Sequence, residues 1–254
     1  MNTKKWEKEV LLWTALVLIL SYLCYLPMLL KRAGVPISEA IVTSRYLFVV
    51  VPLAVSIFFV IKHKQVRNWL SALFAEKIGM HAILSCVVLA MVGLSFSAIY
   101  YLIAGDKNSF SSIYPTVISA VVSCGYLFIT AMIEELAWRG FLLSKLSMAK
   151  GKPAALIYVG IVWTIWHIPM WTVRNSLEFG EILVYSVWTI FVSIVLGFLF
   201  YRYKSILVVS LSHMVFNTCF FAPVVYNTIL LGLMLVLLFP TLKRELRSLA
   251  NKNS

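Results

Sequence analysis

The chain has 254 residues, of which 61% are hydrophobic and only 13% charged, and its mean hydropathy is +0.92. A soluble domain of that length needs far more polar surface, so the composition excludes one. The formal net charge of +12 does not point to nucleic acid, because the basic residues sit in short blocks between apolar runs instead of along one amphipathic face.

The first apolar run, 10–30, follows Lys4, Lys5 and Lys8, as a signal peptide would. It is too long for a signal-peptide core and no small-x-small site follows, so it reads as the first spanning helix. A shorter run, 46–61, is the second. Segment 62–81 mixes Trp69, Leu73 and Phe74 with Lys64, Arg67 and Lys77, which fits an amphipathic helix at the inner interface and a basic loop equally well. Runs at 82–104, 115–143, 153–173, 182–201, 206–222 and 224–242 complete the set, the last two divided by a turn near Pro223. A bilayer core of roughly 30 Å takes about 20 helical residues. The expected fold is therefore all-α, a polytopic membrane helical bundle with about eight transmembrane helices in a single domain over 1–254. Cys24, Cys86, Cys124 and Cys219 all lie inside apolar runs without CxxC spacing and read as small hydrophobes.

Lys and Arg set the expected orientation. The N-terminus, 62–81, 144–152, 202–205 and the C-terminal tail hold 16 of them, while 31–45, 105–114 and 174–181 hold 5. An even span count with that bias places both termini in the cytoplasm of a multi-pass cell-membrane protein.

Ionisable groups inside spans cost several kcal/mol unless they are paired or hydrated, so they are the informative anomaly. The fourth run carries Glu134, Glu135 and Arg139, the fifth His167, and the seventh His213 and Asn217. Glu135 and Arg139 are four apart and share a face. Glu134 is about 100° away and faces elsewhere, towards His167 and His213. His213 and Asn217 also share a face. Counted from the cytoplasmic ends, Glu134 lies about 15 Å deep, His167 about 21 Å, His213 about 11 Å and Asn217 about 17 Å. Three helices thus deliver polar groups to one slab near the midplane, which suggests a hydrated cavity. His63 and His81 fall in loops and take no role.

A carboxylate and an imidazole on facing helices can share a water and remove its proton as it attacks a carbonyl. A second imidazole with an Asn amide can donate to the developing oxyanion. Together these describe hydrolysis of an amide, and no Ser or Cys stands in a recognisable nucleophile motif.

The order Glu-Glu-x-x-x-Arg, aromatic-x-x-x-His, His-x-x-x-Asn on separate membrane helices resembles the CPBP family of CAAX-processing and bacteriocin-processing intramembrane proteases, over approximately 115–223. Trp163 stands where that family usually has Phe. The resemblance implies that Glu134 and His167 activate water, that His213 and Asn217 form the oxyanion hole, and that Glu135 and Arg139 support the first motif. It implies a metal-independent glutamate protease needing no cofactor, acting on a peptide or protein substrate such as a leader, bacteriocin or pheromone precursor, among membrane lipids and without nucleic acid. Other readings stay open at this stage. One is a zinc protease with Glu134, His167 and His213 as ligands, although no HExxH is present. Another is a non-proteolytic bacteriocin self-immunity or scaffold protein. A transporter is a third, weakened because the polar residues cluster instead of lining a path.

Overall fold

The computed structural model describes residues 3–73 and 117–219, and those residues form helices joined by short loops, without a strand. The expected spans 82–104 and 224–242 lie outside the described residues, as do His81 and residues 74–80. In chain order the helices are α1 (Thr3–Arg32), α2 (Glu39–Val42), α3 (Val51–Lys62), α4 (Val66–Leu73), α5 (Val117–Ala137), α6 (Ser144–Lys150), α7 (Lys152–Pro169), α8 (Phe179–Tyr203) and α9 (Ile206–Cys219).

Three helical segments among the described residues are long and apolar enough to cross a membrane: Glu7–Arg32, Lys152–Arg174 and Phe179–Tyr203. The surface of α1 shows what surrounds it. Val10, Trp13, Val17, Ser21 and Tyr25, spaced three or four apart, are buried, whereas Leu11, Ile19 and Leu23 are more than half exposed. Such a face would be an aggregation hazard in water and is the ordinary outside of a helix in lipid. The buried face is held by hydrogen bonds as well as packing. Trp13 Nε1–H donates to Ser56 Oγ at 3.0 Å and Trp166 Nε1–H donates to Ser21 Oγ at 2.9 Å.

The second expected span, 46–61, is not one straight helix. A 3₁₀ turn, Thr43–Val49, precedes α3, and the segments Glu39–Val49 and Val51–Lys62 are bent by 57°. Pro52 explains the break. It lacks an N–H, so it is tolerated in the first turn of α3 but not inside a continuous helix. Segment 62–81 resolves to the helical alternative as far as it is described. In α4, Leu73 is buried and Trp69 packs on the core while Arg67 and Asn68 face outwards.

From Val117 to Lys150 the chain is helical without interruption, but Trp138–Leu143 is wound as a π-helix and all six of its residues are buried. The wider turn leaves carbonyls for side chains to satisfy. Ser144 Oγ–H donates to the Arg139 carbonyl at 2.9 Å, and Trp69 Nε1–H donates to the Gly140 carbonyl at 3.1 Å. Gly140 permits this, since a Cβ there would come within 2.9 Å of Leu73 Cδ2.

α7 packs along α8 and α5 packs along α9, so the motif-bearing helices lie in one bundle. A Cβ on Gly197 of α8 would overlap Leu156 Cδ2 of α7, and this missing side chain sets how closely the two helices approach. At its far end α7 reaches Pro169, whose absent N–H orphans the Ile165 carbonyl one turn earlier. Tyr22 Oη–H of α1 donates to that carbonyl at 2.7 Å. The helix then loosens into a second π turn, Met170–Arg174.

Candidate active site

Glu134 and Glu135 stand on the last turn of α5, immediately before the π turn that carries Arg139. Glu134, Glu135, Arg139 and His213 are all buried, with Glu135 and Arg139 fully so. His167 on α7 and Asn217 on α9 are partly buried. Four charged or titratable groups without water around them have to satisfy one another, and their partners define the site.

Glu135 collects the positive charge. Arg139 Nη1–H donates to Glu135 Oε1 at 2.8 Å, which is the helical pair expected from the spacing. His213 Nδ1, from α9, lies 2.8 Å from the same oxygen. Beside an arginine the carboxylate accepts, so the His213 Nδ1–H donates and its Nε2 is left for other work. The second Arg139 nitrogen reaches α8, donating to the Ser193 carbonyl at 3.2 Å and to Ser193 Oγ at 3.1 Å.

Glu134 has a different environment. His213, expected on the side of Glu134, makes its hydrogen bond to Glu135 instead. The hydrogen bond that reaches Glu134 comes from α7, where Trp163 Nε1–H donates to Oε2 at 3.0 Å. His167, one turn further along α7, donates from Nδ1 to the Trp163 carbonyl at 2.7 Å, which leaves its Nε2 as the acceptor. Its ring stacks on Trp171 with an interplanar angle of 17° and meets the edge of Trp166.

Trp163 therefore touches Glu134, Arg139, His167 and His213 together. The Arg139 guanidinium carbon lies 4.8 Å from its ring centre, and the His167 and His213 rings stand edge-on to it at 5.0 and 5.2 Å. Asn217 follows His213 by one turn on the same face of α9.

The sequence reading placed Trp163 in a motif without a role and missed Ser193. The four-residue interval between Trp163 and His167 puts both on one face, and this was the available signal for Trp163. Ser193 had none, since its role depends on how α8 lies against the π turn. His63, set aside as a loop residue, has its Nε2 2.7 Å from Glu9 Oε1 and joins the start of α1 to the end of α3. Among the described residues no group of three or more His, Cys, Asp or Glu side chains is placed to hold a metal ion.

Residues 115–219 match the family described as type II CAAX prenyl endopeptidase Rce1-like. A curated relative, CAAX prenyl protease 2 of Methanococcus maripaludis, is 39% identical over 62 residues, which are 24% of this chain and 22% of the relative. The chain thus spans about a fifth of the length of the curated relative it matches.

Proposed function

We infer, from the match of residues 115–219 to the type II CAAX prenyl endopeptidase Rce1-like family, that this membrane protein is an intramembrane endopeptidase. Its substrate class is a membrane-associated peptide or protein, with leader, bacteriocin and pheromone precursors as the clients to test. A cavity of about 440 Å³, lined in part by Ile133 of α5, by Met170 just after α7 and by Arg45 and Arg174, offers room for a peptide segment beside the two site helices.

In this reading Glu134 removes a proton from water as the water oxygen attacks the scissile carbonyl, then passes that proton to the departing amine. His167 accepts from the same water through Nε2, because its Nδ1–H is already committed to the Trp163 carbonyl. His213 and Asn217 donate to the oxyanion. The Nδ1–H of His213 is directed at Glu135, so His213 donates to the oxyanion through Nε2–H when both ring nitrogens carry a proton.

One observation carries the proposal. Of two adjacent buried carboxylates, Glu135 is engaged by a guanidinium and an imidazole, while Glu134 takes its hydrogen bond from a neutral indole. The division suits one structural carboxylate and one that exchanges protons. The test is cleavage of internally quenched precursor peptides by protein reconstituted in lipid nanodiscs. Wild type should cut at least one peptide at a single bond and Glu134→Gln should not; equal cleavage by both would refute the assignment.

The same reading makes the enzyme metal-independent, since both oxyanion donors act through N–H groups and a metal would need those nitrogens bare. Turnover should persist in phenanthroline. Loss of turnover to the chelator, with recovery on adding zinc, would replace this mechanism with a metalloprotease one.

A further inference from the structure

We propose that Trp163 is the positioning residue for Glu134: its indole N–H fixes one carboxylate oxygen and thereby aims the other at the reacting water. The inference rests on the endopeptidase reading and deepens it.

A carboxylate on a helix can rotate about its last two side-chain bonds, and a general base that rotates is badly placed for most of the time. Glu135 is held by two partners at a single oxygen. Glu134 Oε2 is held instead by Trp163 Nε1–H at 3.0 Å, across the α5–α7 interface, in surroundings where Glu134 is 7% and Trp163 3% exposed. The donor itself has little freedom. Its ring lies beneath the Arg139 guanidinium and against the edges of both imidazoles, and its backbone carbonyl receives His167 Nδ1–H. One residue therefore fixes the base through its side chain and the neighbouring imidazole through its main chain. A phenylalanine at this position could make the ring contacts but could not supply the donor, so the indole nitrogen is the atom that matters.

Trp163→Phe is the first test. It should keep the midpoint of thermal unfolding and KM near wild type and lower kcat about tenfold or more, the effect expected when a hydrogen bond to a charged group is removed. Because the nitrogen acts only through Glu134, Trp163→Phe added to Glu134→Gln should cost nothing further. A residue that merely packs would leave kcat unchanged, or would lower stability and activity together. If the phenylalanine variant does not fold, β-(3-benzothienyl)alanine at position 163 replaces the N–H by sulfur within the same ring outline and takes its place. A second arm is independent of turnover. The indole ¹⁵N–¹H resonance of Trp163 is identified as the one absent from the Trp163→Phe or benzothienyl protein. In Glu134→Gln it should shift, and in the distant Glu181→Gln it should not. Wild-type kcat without the N–H, or an indole resonance unmoved by Glu134→Gln, overturns the proposal. A shifted resonance in a protein that cleaves nothing would instead sustain the contact and remove the endopeptidase reading beneath it.

Discussion

Glu134 and Glu135 are adjacent in sequence and about 100° apart on their helix, and that angle gives them different neighbours. The consequence can be measured by neutralising each in turn. Glu134→Gln leaves an amide able to accept from Trp163, so the fold should survive while turnover falls by the roughly 10²-fold or more typical of losing a general base. Glu135→Gln should behave otherwise. It withdraws the counter-charge from an arginine that is fully buried, and breaking a buried pair in this way costs about 3–5 kcal/mol. Stability in detergent should fall with activity, and adding Arg139→Gln should restore part of the stability but not the turnover. If Glu135→Gln is as stable as wild type and inactive while Glu134→Gln cleaves normally, the two roles are reversed.

At the scale of elements, the site depends on irregularities in helices that a hydropathy plot draws as plain cylinders. The π turn Trp138–Leu143 follows directly after the two glutamates, and side chains from α4 and α6 cap the carbonyls it exposes. The α7–α8 contact depends in turn on a missing side chain. Gly197→Ala would force its Cβ into Leu156, and overpacking of this kind costs about 1–3 kcal/mol. Since α7 carries Trp163 and His167 while α8 carries Ser193, Gly197→Ala should lower the unfolding midpoint and kcat together. The second-site change Leu156→Ala, which empties the contested volume, should recover some of both. A Gly197→Ala protein with wild-type stability would show that the helices separate freely and that the close approach is incidental.

Whole-molecule contacts bear on how the chain sits in the membrane. Three of the basic blocks that the sequence assigns to the cytoplasmic side come together at one end of the bundle. Glu7 pairs with Lys150 at 2.8 Å, His63 meets Glu9 at 2.7 Å, and Lys145 lies 3.9 Å from Glu9. The opposite end joins Arg32 to Ser176 at 3.1 Å, and Lys31 to Glu39, whose carboxyl is held below its ordinary range by that lysine. The exposed pairs among them, Lys150–Glu7 and Lys31–Glu39, contribute little stability; the use of the whole set here is to show which segments share a side. We propose that the end with Glu7 and Lys150 is cytoplasmic. Reporter fusions at Lys64, Lys150 and the C-terminus should register cytoplasm, and one at Lys107 the outside. A C-terminal reporter on the outside would refute the even span count.

The sequence by itself determined that the chain is a helical membrane protein and which polar residues its spans bury, because a bilayer core admits few solutions for apolar runs and makes every buried charge conspicuous. It also determined the Glu135–Arg139 pair, since partners four apart on one helix need no knowledge of any other. Contacts between helices were beyond it. That His213 docks on Glu135, that Trp163 holds Glu134, that Ser193 receives Arg139 and that Tyr22 satisfies the carbonyl left by Pro169 all depend on the rotation and separation of helices distant in the chain. Those quantities are set by glycines at contacts, by a proline that bends 46–61 and by a π turn that rotates everything after it. A shift of one residue in a helix turns its side chains by about 100°, so periodicity narrows the candidates while only tertiary packing selects among adjacent ones.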